Sequence, residues 1–321
     1  MAREIGVFYA PDDDGEHALQ FGNLQPGING GLPLLDVWFT PSNKPKSTVW
    51  PALLFTPMNT LRAVAGAYCP IDQRRYAFFS TGTDVLWTRY PSAHPHNAPK
   101  ETIIDAANPF LGLTELGAGL VDMAAHFNGS ALEIAILRTD GLLVVFRGTP
   151  WTAQTKQQLQ WTQVVGLAGF GDAQRIAISE AAGAGHVFVA SNNVITEVFY
   201  FGNTTGSGTI ATFTDQILDV GNVFTPADGV MHVVVATADP QSGGSTLFEA
   251  EFVPAVKPPQ TRQLGTVNFR LAGLGAYLKP DGAQHIIMSQ DASGVAPLFL
   301  SWGAPDLSVF DFGLFPPRVA A

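Results

Sequence analysis

Residues 176–201, IAISEAAGAGHVFVASNNVITEVFYF, contain three alternating apolar runs separated by short turns. The first turn is rich in glycine and alanine, and the second is Asn192-Asn193. Alternation at a period of two residues, with turn residues between the runs, is typical of antiparallel strands that bury one face. This stretch therefore predicts three consecutive strands of one antiparallel sheet.

The composition favours an all-β protein with a sizeable core. The chain of 321 residues has 33 Gly and 23 Pro, which indicates many tight turns. Hydrophobic residues make up 46% and charged residues 14%, as in a globular protein. The net charge of −10 argues against nucleic acid or an anionic membrane as a partner, because both bind clustered Lys and Arg.

The chain shows no targeting segment. Its N-terminus lacks a basic stretch followed by an apolar run, so we predict no signal peptide. No run approaches the roughly 18 apolar residues that a membrane span needs. Cys69 is the single cysteine, which excludes a disulfide within the chain. We predict a soluble protein, cytoplasmic or released without a signal peptide, unless a leader has been removed; the oligomeric state is left open.

Six repeats carry this strand pattern along the chain. Each first strand has Gly or Ala at its second position, and these residues are Gly6, Gly66, Ala124, Ala177, Gly221 and Gly275. Their spacings of roughly 45 to 60 residues lie in the range of propeller blades. A small residue fits if the first strands converge on one axis, where a larger side chain would collide with its neighbour.

The third strands repeat as well. They end with Phe39, Tyr90, Arg147, Tyr200, Phe252 and Trp302, and large aromatic rings suit the wedge between two sheets. We therefore predict a single domain over 1–321, a six-bladed β-propeller of four-stranded antiparallel blades. The predicted blades are approximately 1–60, 61–118, 119–171, 172–215, 216–268 and 269–321.

Polar residues recur where second and third strands run side by side. The second strands begin with His17, Tyr76, Glu133, His186, His232 and His285. The facing column on the third strands is Asp36, Trp87, Val144, Glu197, Glu249 and Phe299. Adjacent strands predict three pairs: His17 with Asp36, His186 with Glu197, and His232 with Glu249. Such a pair is either a satisfied structural contact or part of a binding site.

A carboxylate, an imidazole and an aromatic ring together can bind a sugar, since they accept and donate hydrogen bonds and cover its apolar face. The six repeats, with third strands such as ITEVFYF and LFEAEF, resemble the fungal fucose-specific six-bladed propeller lectins. The resemblance implies sugar-binding roles for Glu197 and Glu249. That family has an arginine at the second-strand start, where this chain has histidine in four repeats. The predicted ligand-binding residues are His17, Asp36, Trp38, His186, Glu197, Phe199, His232 and Glu249.

The central tunnel is the second candidate site. First strands are expected to line it with apolar and aromatic residues, among them Tyr68, His126 and Tyr277. Such a pocket suits a hydrophobic small molecule. These three residues could polarise a carbonyl in a cyclase or pericyclase of secondary metabolism, a chemistry that works by positioning.

The sequence predicts neither a metal site nor a cofactor. Equivalent histidines of different blades lie too far apart for one zinc ion, and no metal-binding, phosphate-binding or nucleophile motif is present. The leading interpretation is a lectin-like propeller that binds carbohydrate at degenerate sites between the blades. The alternatives are a cofactor-independent enzyme that uses the axial pocket for a small molecule, and an interaction scaffold.

Overall fold

The computed structural model describes residues 5–12, 15–21, 34–39, 52–55, 63–80, 85–91, 119–148, 161–254, 256, 258–279, 282, 284–290, 298–302 and 308–311. Strands occupy most of this part of the chain, and none of it is helical. No helix within these residues is long and apolar enough to cross a membrane.

The strands form six antiparallel sheets in chain order. The first holds β1 (Ile5–Ala10), β2 (Gly15–Phe21), β3 (Leu34–Phe39) and β4 (Ala52–Phe55). The second holds β5 (Ala63–Cys69), β6 (Arg74–Ser80) and β7 (Val85–Pro91). The third holds β8 (Leu120–Phe127), β9 (Leu132–Arg138), β10 (Leu143–Gly148) and β11 (Trp161–Leu167).

The last three sheets have four strands each. The fourth holds β12 (Ala173–Ala181), β13 (Ala184–Ser191), β14 (Val194–Phe201) and β15 (Thr204–Thr212). The fifth holds β16 (Ile217–Thr225), β17 (Val230–Ala238), β18 (Ser245–Phe252) and β19 (Gln260–Val267). The sixth holds β20 (Leu271–Leu278), β21 (Gln284–Gln290), β22 (Leu298–Trp302) and β23 (Ser308–Asp311).

The first strands close a ring. β1 contacts β5, the contacts continue in order through β8, β12, β16 and β20, and β20 returns to β1. The six sheets are therefore the blades of a six-bladed β-propeller, as predicted. Second and third strands follow outward in each blade, and a fourth strand is described in five of them. The fourth strand predicted for the second blade lies outside the described residues.

Glycine at the ring lets neighbouring first strands approach closely. A Cβ atom at Gly6 would lie 2.9 Å from Cα of Ala65, and one at Gly275 would lie 2.4 Å from Cβ of Val7. Both glycines face the following blade. Gly66 faces the preceding blade instead, where its Cβ would meet Phe8 at 2.6 Å. The repeat of the second blade is thus shifted by one residue from the predicted alignment, and Ala65 holds the position equivalent to Gly6.

Buried carboxylates join first strands across blade boundaries. Asp122 accepts a hydrogen bond from the backbone N–H of Ile176 at 2.9 Å, and Asp219 accepts one from Leu274 at 2.7 Å. Both aspartates are fully buried. These bonds satisfy polar groups at the axis and fix the offset between blades.

The hydrophobic core lies in the wedges between adjacent blades. One cluster packs Phe188 of the fourth blade against Phe252 of the fifth, with their rings edge to face at 6.3 Å. Tyr90 and Tyr200 lie in two other wedges, as predicted from the third-strand aromatics. The predicted exception, Arg147, lies exposed. The side chains of Phe39 and Trp302 are outside the described part of the structure.

Replacing Gly275 by valine is expected to destabilise the propeller by about 1 to 3 kcal/mol, since the added atoms overlap Val7. Gly208→Val is the matched control, because a Cβ at this strand glycine would meet nothing within 4 Å. Urea unfolding midpoints measure the difference. Equal midpoints for the two variants would contradict the packing assigned to the ring.

Candidate functional site

The three predicted His–acid pairs are hydrogen-bonded. Nδ1 of His17 lies 2.9 Å from Oδ2 of Asp36. Nδ1 of His186 lies 2.6 Å from Oε1 of Glu197, and Nδ1 of His232 lies 2.8 Å from Oε1 of Glu249. Each acid sits diagonally across from its histidine on the same face of the sheet: His186 pairs with Phe199, and Glu197 is two residues earlier on β14.

In the third and sixth blades, the third-strand residue that corresponds to these acids lies one position later than predicted. Ala135 pairs with Val145, so the third blade has Val145 where Val144 was predicted. Ile287 pairs with Leu300, so the sixth blade has Leu300 instead of Phe299. Val144 belongs to the opposite face, because a slip of one residue reverses the side of a strand.

The pair in the first blade is closed off by the second blade. Arg75 donates from Nε to Nε2 of His17 at 3.1 Å, and the Tyr90 hydroxyl donates to Asp36 at 2.9 Å. His17, Asp36 and Arg75 are 3%, 5% and 1% exposed. Protein groups therefore use the hydrogen-bonding positions that a ligand would need. Trp38 lies in β3, and its side chain is outside the described part of the structure.

The contacts of Arg75 and Tyr90 with this pair were not predicted from the sequence. Both stand on strands of the second blade and face the first, so no pattern within one repeat connects them with His17.

The pair in the fourth blade is more open. Nε2 of His186 is buried without a hydrogen-bond partner, whereas its ring is held by Glu197 through Nδ1. The Glu197 side chain is 17% exposed and Phe199 is 39% exposed. The structure thus brings a carboxylate, an imidazole and an accessible aromatic ring together at the boundary with the fifth blade.

In the fifth blade, the charge of Glu249 is balanced by Arg262. Arg262 binds the second oxygen of Glu249, with Nε at 2.6 Å. Burial opposes ionisation of Glu249, but the hydrogen bonds from His232 and Arg262 outweigh it and lower its pKa. His232, Glu249 and Glu251 have donor atoms within 4.8 Å of one another, the spacing of a metal site. The Arg262 guanidinium already supplies the positive charge beside Glu249, so this donor set fits a cation poorly.

A cavity of about 620 Å³ lies on the axis and is lined by all six first strands. Tyr68, His126 and Tyr277, predicted for the tunnel, all line it. Its described wall contains no Lys or Arg, and Glu180 is its single carboxylate. The remaining wall is mainly Gly, Ala, Val and aromatic side chains.

Aromatic and polar groups occupy different parts of this wall. Tyr9 of the first blade and Tyr277 of the sixth have nearly parallel rings, with centroids 6.3 Å apart. The Tyr277 hydroxyl is 3.0 Å from Nδ1 of His285. On the fourth and fifth blades, the Asn222 amide donates to the Ser179 hydroxyl. The cavity therefore has an aromatic side and a side with hydrogen-bonding groups.

His126 is held from behind by Glu133. Its Nε2 lies 2.9 Å from Oε2 of Glu133, and its side chain is 14% exposed. Glu133 is 1% exposed and accepts further hydrogen bonds from three side chains: Asn128 at 2.9 Å, Arg147 at 2.7 Å, and Tyr200 of the fourth blade at 2.6 Å.

These donors keep Glu133 ionised. Burial alone would raise its pKa, but the hydrogen bonds and charges of His126, Tyr200 and Arg147 reduce the pKa of Glu133 to about 2. Burial and the neighbouring Glu133 charge raise the pKa of Tyr200, which stays a neutral donor. Sequence analysis placed Glu133 at a second-strand start but did not find these partners.

Structural comparison places the chain among β-propellers. A fungal lectin from Aleuria aurantia, described as a six-bladed β-propeller with a novel fucose recognition mode, matches at 11% identity with a TM-score of 0.54, covering 95% of this chain and 93% of the lectin. A second structure of that lectin, in complex with a fucose-containing disaccharide, has a TM-score of 0.59 at 10% identity, covering 96% and 94%.

The sialidase of Trypanosoma rangeli also matches, with a TM-score of 0.59 at 10% identity over 93% of this chain. This chain spans 54% of the sialidase's length. No protein-family model matches the sequence, and no curated protein matches it. At these identities the likeness establishes the β-propeller fold alone.

Proposed function

We propose that this protein binds a small, neutral and largely apolar organic molecule in the axial cavity and acts on it as a cofactor-independent enzyme. The observation that carries the proposal is the 620 Å³ cavity with Tyr68, His126 and Tyr277 on its wall. The cavity volume lies within the range of small-molecule sites, about 300 to 1,000 Å³. Because one fold can carry many functions, the proposed function follows from this cavity and not from the propeller fold.

The charged residues of the cavity wall disfavour anionic ligands. Phosphates and carboxylates are usually bound by Arg or Lys, which the described wall lacks. Glu180 would further disfavour an anion. Nucleotides, diphosphates and carboxylic acids therefore fit poorly, whereas a neutral molecule with one or two oxygen atoms fits the mixed aromatic and polar wall.

The shape of the cavity and the hydrogen-bonding groups on its wall indicate the class of reaction. A rigid apolar pocket can hold a flexible molecule in a folded conformation, which lowers the barrier to an intramolecular reaction. Tyr68 offers a phenolic group, and His126 an imidazole, that can polarise a carbonyl. The Tyr277 hydroxyl contacts His285, so Tyr277 contributes its ring to the wall. Cyclisation or a pericyclic reaction is the chemistry this combination supports.

Binding of 2-tetralone, a neutral bicyclic ketone, tests the proposal. Calorimetry should show one site per chain, and Tyr68→Ala should weaken binding about 10-fold because the ligand loses an aromatic contact. Phe201→Ala is the matched control, since this ring is 66% exposed and lies outside the cavity wall. Equal affinity in wild type and Tyr68→Ala, or no binding to wild type, would contradict the proposal.

Carbohydrate binding at the fourth blade is a second candidate. The unpartnered Nε2 of His186, the accessible Glu197 and the exposed Phe199 ring favour it. A glycan array should show binding to wild type that falls at least about 10-fold in Glu197→Ala, since the variant loses an acceptor for the hydroxyl groups of the sugar. A wild-type protein that binds no glycan would eliminate this candidate.

A further inference from the structure

We propose that His126 is an acid–base group that exchanges a proton with the ligand of the axial cavity, and that Glu133 is the positioning residue that holds it. The inference rests on the proposed function and adds a defined chemical step to it. It also restricts the ligand to molecules with an acidic C–H or O–H group, such as an enolisable ketone.

The geometry fixes the orientation of the imidazole. The hydrogen bond between Nε2 of His126 and Oε2 of Glu133 turns that edge of the ring away from the axis. The His126 side chain lines the cavity, and among the described residues its Nδ1 has no hydrogen-bond partner. An imidazole bound to a carboxylate on one nitrogen and open on the other is the arrangement used in general acid–base catalysis.

The network behind Glu133 fixes the tautomer. Asn128, Arg147 and Tyr200 all donate to its carboxylate, so Glu133 stays an acceptor. A neutral His126 must then carry its proton on Nε2, which leaves the lone pair of Nδ1 directed away from Glu133. Because Tyr200 belongs to the fourth blade, contact between two blades also helps to position this residue.

The step is balanced without a cofactor. Nδ1 takes a proton from a C–H group next to the ligand's carbonyl, and the electron pair of that bond forms an enolate. The Glu133 carboxylate stabilises the imidazolium that results. His126 then returns the proton to the ligand from Nδ1, so neither an oxidant nor a reductant is consumed.

The tautomer can be measured without a ligand. Long-range ¹H–¹⁵N NMR of the labelled full chain, with His126→Gln to assign the signals, should show the proton of neutral His126 on Nε2. A neutral imidazole protonated on Nδ1 would overturn the proposal whichever ligand the cavity binds.

Deuterium exchange tests the chemical step. In D₂O the wild-type protein should accelerate deuterium incorporation into the acidic CH₂ group of 2-tetralone, and His126→Gln should slow it about 100-fold. Glu133→Gln should slow it as well. Asp140→Asn removes a carboxylate in the same blade, where Asp140 pairs with Arg138 at the surface, and should not.

The outcomes separate the two proposals. Exchange that is equal in wild type and His126→Gln, while both bind 2-tetralone, would overturn the acid–base role and leave the proposed function intact. If wild type fails to bind 2-tetralone, the proposed function fails and this step fails with it. Should Glu133→Gln not fold, the NMR measurement on wild type still decides the tautomer.

Discussion

Replacing Glu133 by alanine is expected to lower the free energy of unfolding by about 3 to 5 kcal/mol, the range for removing one partner of a buried ionic network. Without the Glu133 carboxylate, the Tyr200 hydroxyl loses its hydrogen-bond acceptor, and Tyr200 is only 2% exposed. The substitution also removes the group that neutralises Arg147. Since Tyr200 lies in the fourth blade, the contact between the third and fourth blades weakens at the same time.

Urea unfolding of wild type and Glu133→Ala measures this effect. Asp140→Ala is the control, because it breaks an ion pair in the same blade whose carboxylate side chain is 46% exposed. Solvent-exposed ion pairs contribute about 0 to 1 kcal/mol to the free energy of unfolding. A loss for Glu133→Ala as small as that for Asp140→Ala would show that the network does not stabilise the propeller.

Acid should destabilise the protein through the same residue. The pKa of Glu133 is about 2 in the folded protein, compared with an ordinary value of 4.5. A carboxyl group whose pKa is lower when folded stabilises the protein fully above its unfolded pKa, and this stabilisation is lost as the pH falls towards the folded value. This difference in pKa corresponds to a decrease of about 3 kcal/mol in the free energy of unfolding between pH 5 and pH 2.

Unfolding free energies of wild type and Glu133→Gln across pH 7 to pH 2.5 test this expectation. The variant should lose most of the pH dependence that comes from Glu133. It should keep some acid sensitivity, because the pKa of Glu249 is also lowered. Identical pH profiles for the two proteins would mean that the hydrogen bonds to Glu133 do not lower its pKa in the folded protein.

Much of the fold was predictable because its determinants are local and repeated. Alternation in residues 176–201 predicted β12, β13 and β14, and the small residues of the first strands predicted a ring. The three His–acid pairs were predictable for the same reason, since both members stand on adjacent strands of one blade. Their role in ligand binding remains a prediction.

Contacts between blades were not predictable from the repeats. Arg75 reaches His17, and Tyr200 reaches Glu133, across 58 and 67 residues of sequence. Each depends on which face of a strand points to the neighbour, and a shift of one residue reverses that face. Such a shift in the second blade explains why Gly66 was aligned with Gly6, a position that Ala65 holds.

The axial site was predictable in part. Tyr68, His126 and Tyr277 were expected on the tunnel because they stand on first strands, and the structure places them there. The closure of the site around His17 was not expected, since it depends on Arg75 and Tyr90, which both stand on strands of the neighbouring second blade. Because the His17 site is closed and the cavity wall is open, the axial cavity is the more accessible site for a ligand.

The most direct test of the central claim is a crystal structure of the protein soaked with 2-tetralone. We predict ligand density within the axial cavity, in contact with the aromatic wall that includes Tyr68 and Tyr277. Density confined to the boundary between the fourth and fifth blades, beside Glu197 and Phe199, would contradict it.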